Sequence, residues 1–325
     1  MDYSTQVISV KGKQLAVPVL KVSDVAVVVT GKILKIARIH DEAWLDSRTL
    51  PDPLEMSDKL KSSMNPPDIF TFAQRIPDVT PRYPYHFEWE NVAAASTESH
   101  RSWFETQVDR SVRKHIRKSQ REGIVTKIAP FDDRLVEGIS SIYNEFKVRQ
   151  GKPFWHYGKS FDEVKRENGT YLDRSVFVCA YVGEELVGFI KVVIDGEVAT
   201  MMQILSKLAH FSKRPTNALI SKTVEVCESS HAKYLLYGEY AYGKKDESSL
   251  IDFKAKNGFR KIEFPRYYVP LTAKGRLGVT LGLYKGWTHL IPGRVTKTLI
   301  HLRSNYYAWR EGNSKEPKKS ERTDN

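Results

Sequence analysis

The fold is decided by the stretch SVFVCAYVGEELVGFIKVVIDGEVATMMQIL, residues 175–205. Ser175–Val182 and Leu186–Ile194 are rich in β-branched and aromatic residues, and Gly183-Glu184-Glu185 joins them. Two such runs separated by a short turn that contains glycine predict a β-hairpin. Asp195-Gly196 is a second turn signal, and it precedes a third strand candidate at Glu197–Leu205. The stretch therefore predicts three consecutive antiparallel strands.

The residues that follow alternate between helix and strand signals. Pro215–Ser230 has apolar residues at helical spacing, Lys233–Tyr240 is typical of a strand, and Glu247–Asn257 predicts a helix that Gly258 ends. Phe259–Leu271 predicts a last pair of strands. Together these elements predict an α+β fold with one mixed, mostly antiparallel sheet flanked by helices.

The first 95 residues add a second group of strand signals. Strands are predicted at Leu15–Leu20, Val25–Thr30, Ile33–Ile39, Ile69–Arg75 and Tyr85–Ala94. Leu50–Pro67 predicts a loop that holds a short helix. The similar order of elements at the two ends is compatible with two related halves.

Helices are predicted between the two strand groups. His100–Glu122 is predicted as one long helix with an apolar stripe at Phe104, Val108, Val112 and Ile116. Further elements are expected at Ile124–Ala129 (strand), Asp132–Arg149 (helix), Phe161–Asn168 (short helix) and 273–311 (two helices broken at Pro292-Gly293).

The composition is that of a globular protein, with 41% hydrophobic and 28% charged residues in a chain of 325. The two cysteines, Cys179 and Cys227, cannot form a disulfide framework, and we interpret both as core residues rather than thiol nucleophiles. No secretory signal and no membrane-spanning run is recognisable, which predicts a cytoplasmic protein. Histidines, cysteines and acids show no metal-ligand spacing, so no metal is expected.

The net charge of +12 is concentrated in places, above all in RSVRKHIRKSQR, residues 110–121. This segment holds six Lys or Arg residues and no acid. Arg113, Lys114, Arg117 and Lys118 are therefore candidates for binding an anionic partner such as transfer RNA or anionic lipid. The alternative is a solvated basic face without a partner.

Three loops carry residues that can do chemistry. The first is RQGKPFWHYGK, residues 149–159, in which His156 is a candidate base. Candidate substrate-binding residues are Arg149, Trp155, Tyr157 and Lys159 in this loop and Tyr268 in the last strand. In the alternative interpretation Phe154 and Trp155 fill the core, His156 is a surface residue and Tyr268 is a core aromatic.

The second loop, SKRPTN, opens the predicted helix at Pro215. Free backbone N–H groups and the helix dipole favour an anion at such a position. Arg214, Thr216 and Asn217 are therefore candidates for binding the phosphates of a cofactor. An ordinary helix start is the alternative.

The third segment, YGEYAYGKK, is residues 237–245. It covers the end of the predicted strand Lys233–Tyr240 and the loop that follows it. Glu239 is the only acid in an aromatic strand, so a raised pKa and a role as general base are expected. Tyr242 is the candidate proton donor, and Lys244 and Lys245 are candidates for binding phosphate. The alternative is that Glu239 faces water or an ion-pair partner.

Several of these motifs resemble known proteins. RSVRKHIRKSQREGI is similar to a helix of Fem-type peptidoglycan aminoacyltransferases, and FKAKNGF followed by PRYYVPL fits the GNAT-like half of that superfamily. TFAQRIPD, RYPYHFEWEN, RQGKPFWHYGK and RPTNALI resemble motifs that recur in bacterial GNAT-like proteins of unassigned function. The resemblance runs from about Gly31 to Leu290. The chain departs from it by lacking the Arg/Gln-x-x-Gly-x-Gly/Ala loop of acetyl-CoA users and the coiled-coil arm of some Fem-type enzymes.

The resemblance implies a GNAT-like fold, in which two central strands separate around an acyl carrier whose pyrophosphate lies near residues 212–217. It implies a GNAT-like acyltransferase domain at 99–272 that follows a strand-rich half at 1–98. The apolar spacing predicts C-terminal helices at 273–311, and the polar composition of residues 312–325 predicts a disordered basic tail.

The function it implies is transfer of an acyl or aminoacyl group from acetyl-CoA, another acyl-CoA or an aminoacyl ester to an amine. The amine would belong to a sugar, a peptide or a cell-envelope precursor. One alternative is a non-catalytic GNAT-like protein that binds nucleic acid or a phosphorylated glycan through the basic helix. A third is a peripheral protein at the inner face of the membrane, held by the striped helix 294–310.

Overall fold

The computed structural model describes residues 4–10, 13–22, 25–44, 51–74, 76–149, 151–241 and 249–285. Twelve strands of this part form one continuous sheet, and two short strands pair separately. The strands are β1 (Ser4–Val10), β2 (Lys13–Val22), β3 (Val25–Thr30), β4 (Ile36–Ile39), β5 (Ile69–Ala73), β6 (His86–Ser96), β7 (Val125–Ala129), β8 (Val148–Arg149), β9 (Lys152–Pro153), β10 (Ser175–Val182), β11 (Glu185–Asp195), β12 (Val198–Ser206), β13 (Tyr234–Leu236) and β14 (Arg260–Pro270).

Helices cover both faces of the sheet. They are α1 (Pro53–Lys61), α2 (His100–Ser102), α3 (Arg110–Arg121), α4 (Asp133–Tyr143), α5 (Phe161–Asn168), α6 (Pro215–Ser229), α7 (Ser249–Lys256) and α8 (Ala273–Thr280). The predicted α+β class with a mostly antiparallel sheet is confirmed. None of the described helices combines the length and the apolar character that a membrane span requires.

The two halves of the sheet repeat one pattern and exchange one strand. In each half three antiparallel strands lead through a helix to a strand that is parallel to the third: β2–β3–β4, α1, β5 and β10–β11–β12, α6, β13. The order at the centre is β5-β14-β6-β13, so the last strand of each half lies beside the other half. β14 therefore pairs with both β5 and β6, and the sheet is continuous across the molecule.

Successive side chains of the central strands point to opposite faces of the sheet, so each face has its own hydrophobic core. Val178 and Ala180 of β10 pack in the cluster that contains α6, whereas Phe177 and Cys179 pack in the cluster that contains α4. Burial raises the pKa of the Cys179 thiol to about 12, so it stays protonated at neutral pH. This agrees with the interpretation of the cysteine as a core residue.

The prediction of one helix over His100–Glu122 is wrong in one respect. The chain forms α2 and a π-helical turn, becomes extended at Val108 (φ −84°, ψ 134°), and starts again as α3. Asp109 caps α3 through Ser111, and its own N–H donates to the Lys256 carbonyl at 2.9 Å. This contact with the distant α7 explains why periodicity alone did not reveal the break.

Most other predicted elements differ in their bounds by one to three residues, and three differ in ways that bear on the site. The helix predicted to reach Arg149 ends at Tyr143, and the expected final strand pair is the single strand β14. The strand predicted over Lys233–Tyr240 spans only Tyr234–Leu236. It stops because the Tyr237 N–H donates to Ala93 and the next residue, Gly238, has a φ of +54° that a strand cannot continue. The predicted break at Pro292-Gly293, the helix 294–310 and the tail 312–325 lie outside the described residues.

Candidate functional site

The centre of the second half contains a separation between parallel strands. β12 and β13 pair over three positions only, Val198 with Tyr234, Ala199 with Leu235 and Thr200 with Leu236. Beyond this point β12 continues to Ser206 while the chain leaves β13. Two central strands thus part at Thr200 and Leu236. One cavity lies at that point, and another lies at the start of α6, the helix that connects the two strands.

One cavity, of about 290 Å³, lies at the N-terminus of α6. It is lined by residues of α3, α6 and α7, among them Ser111, His115, Arg214, Thr216 and Asn257. Three of the five residues predicted to bind cofactor, Arg214, Thr216 and Asn217, line this cleft. The contribution of the basic helix to its wall was not predicted, because α3 reaches this place only through tertiary packing.

Arg214 has an unusual backbone and an unusual environment. It precedes α6 with φ 61° and ψ 41°, the left-handed region that costs a non-glycine residue free energy. Its side chain does not cap the helix, and its guanidinium carbon lies 5.2 Å from the centre of the Phe211 ring. The buried Nε of Arg214 has no hydrogen-bond partner among the described residues. A donor held in this way is suited to an anion at the helix start.

The electrostatic character of the cleft is positive. The pKa of His115 is lowered by burial and then by the nearby charges of Arg214 and Lys118. Asp252 also lines the cleft, but Lys256 forms an ion pair with it at 2.7 Å. A negatively charged ligand would therefore be attracted to this side.

Asn217, predicted to bind cofactor, also lines the cleft, but its side-chain amide is engaged within the protein. Its side chain is buried and donates to Asn257 Oδ1 at 3.1 Å, while its backbone N–H donates to the Arg214 carbonyl at 3.2 Å. Asn217 therefore joins α6 to α7 at the base of the cleft. Thr216 Oγ1 lies 3.0 Å from Ser206 Oγ at the end of β12.

A buried ion pair holds the loop that leads into α6. The Glu145 carboxylate accepts from the backbone N–H groups of Leu208 and Ala209 at 2.8 and 2.9 Å and from Arg149 at 2.9 Å. Arg149, predicted to bind substrate, also donates to the Ser206 carbonyl at 3.2 Å. Burial lowers the pKa of this guanidinium, whereas Glu145 acts in the opposite direction. The pair therefore fixes the loop at 208–209, which leads to the cleft, without lining the cleft itself.

His156 is a buried neutral histidine. Only 5% of it is exposed, its ring centre lies 4.1 Å from that of Tyr143, and its Nε2 lies 3.2 Å from Gln203 Nε2. Burial, then Lys159 and Arg149, lower its pKa to about 3. The alternative in which Trp155 fills the core and His156 is at the surface is wrong, because Trp155 is 51% exposed. Tyr157 is also exposed, and Lys159 forms an ion pair with Glu167.

Glu239 lies at the surface in the segment after β13. Its pKa is raised by burial and by the like charge of Glu90, and Lys254 opposes the shift. The buried ammonium of Lys254 donates to the Glu239 carbonyl oxygen. Tyr242, Lys244 and Lys245 lie outside the described residues, so their roles stay predictions.

The second cavity, of about 600 Å³, lies between the two halves. Its wall includes Thr200 and Leu236 at the point where the strands part, and Gly238, the residue before Glu239. The first half contributes Glu42 and Trp44. Four of its residues belong to the motif TFAQRIPD, but none of the lining residues was assigned a catalytic or binding role from the sequence, since the lining comes from distant segments.

Arg266 lies in the wall of this central cavity. Arg266 forms ion pairs with Glu42 at 3.1 Å and with Glu90 at 2.7 Å. Burial lowers its pKa, but the two carboxylates together raise it above the usual value. The guanidinium is therefore compensated by carboxylates of the protein itself.

Tyr268 lines neither of these two cavities, and two of the four cations predicted to bind an anion on the basic helix are engaged within the protein. The Tyr268 ring packs on Tyr284 at 4.1 Å between centres, within the first half. Arg113 donates to the carbonyls of Phe104 and Glu105, and Lys118 pairs with Glu122 at 3.3 Å. Lys114 and Arg117 are exposed members of the predicted anion-binding set.

Comparison with solved structures places this fold. The chain is similar to the crystal structure of FemX, with a TM-score of 0.58 and 7% identity over 86% of this chain and 90% of that chain. It is also similar to the C-terminal domain of a putative lysylphosphatidylglycerol synthetase from Agrobacterium fabrum, with a TM-score of 0.53 and 11% identity over 81% of this chain and 87% of that chain. The fold is GNAT-like and near that of Fem-type proteins. No protein-family model matches the sequence, and the search of curated proteins returned no match.

The GNAT-like resemblance implied that two central strands separate, and the strands that separate in this structure are β12 and β13. The cleft at α6 lies where the GNAT-like resemblance implies the carrier pyrophosphate. The described residues contain no group of three or more His, Cys, Asp or Glu residues that could hold a metal ion.

Proposed function

We propose that the protein is an acyltransferase that moves an acyl or aminoacyl group from a phosphate-bearing carrier to an amine. The observation that carries the proposal is the separation of β12 from β13 beside the central cavity, together with a basic cleft at the start of α6, the helix that connects these two strands. A carrier that enters from one side and an acceptor that enters from the other can meet between the strands. Holding two reactants in such an orientation is a major part of catalysis of a bimolecular transfer.

The two cavities belong to opposite faces of the sheet. Ala199 of β12 packs in the same core as α6, the helix that begins at the basic cleft. Its neighbours Val198 and Thr200 line the central cavity. Because successive side chains of a strand point to opposite faces, the central cavity lies on the face away from α6.

The carrier side is the basic cleft. The guanidinium of Arg214 and the backbone N–H of Thr216 would bind phosphate at the start of α6. His115 adds a polar group from α3. Coenzyme A is the simplest carrier that fits, and an aminoacyl ester carrying phosphate is the alternative.

The reaction needs one proton transfer at each end. The amine nitrogen attacks the acyl carbonyl carbon, a C–N bond forms, and the C–S or C–O bond to the carrier breaks. The amine proton passes to Glu239, whose raised pKa suits a base, and the departing thiolate or alkoxide takes a proton from Tyr242. His156 is less suited to accept the proton, because its pKa is about 3 and its ring is buried.

The test is titration of coenzyme A and acetyl-CoA by calorimetry. Arg214→Ala should weaken binding about tenfold or more, since a hydrogen bond to a charged group contributes about 1.5–3 kcal/mol. Arg134→Ala is the matched control, because that side chain is 73% exposed and lies on α4. Absence of binding to the wild type, or equal affinities of wild type and Arg214→Ala, would contradict the proposal.

The non-catalytic alternative receives less support from the contacts. Arg113 and Lys118, two of the four cations predicted to bind nucleic acid or a phosphorylated glycan, are held by groups of the same chain. This leaves a smaller exposed basic surface than the sequence predicted.

A further inference from the structure

We infer that the central cavity binds the acceptor, and that this acceptor is a cationic primary amine carried on an apolar body. The inference rests on the proposed function, because the acceptor role requires a carrier on the opposite face. It adds the chemical class of the acceptor, which the fold does not reveal. Four observations lead to it: the position, the walls, the charges and the contrast with the carrier cleft.

The position of the cavity puts a bound molecule beside the strand opening. Thr200 and Leu236, the last paired positions of β12 and β13, both line it. Its volume of about 600 Å³ lies in the range of small-molecule sites. Residues of both halves enclose it, so the exchange of β6 and β14 creates this space.

The walls are mainly apolar. Trp44, Val92, Leu236 and Phe264 supply large hydrophobic side chains to the lining. An alkyl or aromatic body would leave water on entering, which favours binding in proportion to the buried apolar area. A sugar with many hydroxyl groups would find few partners on these walls.

The charges of the described lining residues favour a cation. Glu42, Asp195 and Glu197 line the cavity, and Arg266 is the one cationic residue among the described residues that do so. Glu42 and Glu90 both compensate Arg266, at 3.1 and 2.7 Å. Lys233, outside the lining, pairs with Glu197 at 2.5 Å, so the four carboxylates still outnumber the two cations. A carboxylate or phosphate would meet net negative charge here, whereas an ammonium group would be attracted.

The reactive end of the acceptor would lie toward Gly238. This residue lines the cavity, and the carboxylate of Glu239 follows it directly in the chain. An ammonium at this end can pass one proton through that carboxylate to solvent before attack, which leaves the carboxylate free to accept the second proton as the C–N bond forms. The apolar body would extend toward Trp44 and Phe264.

The two faces therefore differ in sign. Arg214 and the nearby Lys118 make the carrier side positive, whereas carboxylates outnumber cations in the described lining of the acceptor side. This opposition would direct an anionic carrier and a cationic acceptor to different faces. It would also keep the carrier phosphates out of the acceptor cavity.

The experiment compares three ligands of one length, n-octylamine, n-octanol and octanoate, titrated by calorimetry below their micelle concentrations without any carrier. We expect n-octylamine to bind about tenfold or more tightly than n-octanol, and octanoate to show no binding, because only the amine brings a positive charge to a lining with excess negative charge. Equal affinity for the amine and for octanoate would overturn the inference.

Variants locate the binding. Thr200→Trp should fill the cavity and abolish amine binding while coenzyme A still binds. Val198→Phe fills less space and serves if the first variant does not fold. Thr126→Trp, on the edge strand β7, is the matched control and should bind the amine normally. Amine binding that survives in folded Thr200→Trp and Val198→Phe would overturn the assignment.

The outcomes separate the two proposals. Coenzyme A binding without amine binding would overturn the acceptor inference and leave the proposed function intact. Amine binding without binding of coenzyme A or acetyl-CoA would overturn the acceptor role together with a coenzyme A-dependent transfer.

Discussion

The pair of Glu145 and Arg149 offers the sharpest test of how the carrier cleft is built. Both side chains are nearly buried, with 11% and 12% exposed. Glu145 accepts two backbone N–H groups of the loop at 208–209 and one guanidinium N–H of Arg149. In Glu145→Gln the shape is kept, but the charge is lost and the amide NH₂ must face one of these donors.

The expected cost follows from these contacts. Removing one partner of a buried ion pair typically destabilises a protein by about 3–5 kcal/mol. Glutamine keeps one accepting oxygen, so we expect the lower end, about 3 kcal/mol. The loop before α6 should also lose its anchor, and coenzyme A affinity should fall even though Glu145 does not line the cleft.

Urea unfolding and coenzyme A calorimetry on the same preparations measure both effects. Glu184→Gln is the control, because its pair with Arg134 is 88% and 73% exposed and should contribute at most about 1 kcal/mol. Adding Arg149→Met to Glu145→Gln should cost less than the sum of the single changes, since an unpaired buried charge is removed. A loss below about 1 kcal/mol, or a large loss with unchanged coenzyme A affinity, would refute the positioning role.

Three further predictions concern charge. Glu239→Gln should lower the acyl-transfer rate by about 10²–10⁴ and remove the acidic limb of the pH–rate profile, and a fully active variant would exclude Glu239 as the base. Lys191 is buried and its pKa is lowered by burial to about 8, so the folded state gains stability as pH rises from about 8 towards 10.5, by up to about 1.4 kcal/mol per pH unit. Lys191→Met should lack this gain, and parallel stability curves for the two proteins in urea unfolding at several pH values would contradict it. Lys114→Gln with Arg117→Gln should lower the salt concentration at which the protein leaves heparin, and identical elution would reduce α3 to a solvated face.

Local signals were enough for the elements whose hydrogen bonds close within a short stretch. β10 begins and ends at the predicted residues, α5 and β3 do so as well, and α6 is one residue shorter than expected. Hairpin turns, helix caps and alternating side chains involve residues that are close in the chain, so the amino-acid sequence reveals them directly.

The candidate site was only partly accessible in this way. The start of α6 was recognisable because Ser-Lys-Arg-Pro is a local helix-start pattern, and Arg214 does line the cleft. Glu239 was placed on a strand, but that strand ends at Leu236 once Gly238 turns the chain away. His156 was placed near the chemistry, yet its ring is buried against Tyr143.

The sequence by itself determined the α+β class, the order of strands and helices, and the concentration of positive charge around residues 110–121 and 213–214. Only the tertiary structure decided that β14 lies between β5 and β6, that the helix after His100 breaks at Val108, and that a central cavity opens between the halves. The physical reason is the range of the interactions. Propensity and periodicity act between neighbours in the chain, whereas strand exchange, the bond of Asp109 to Lys256 and the pairing of Arg266 with Glu42 join residues that folding alone brings together.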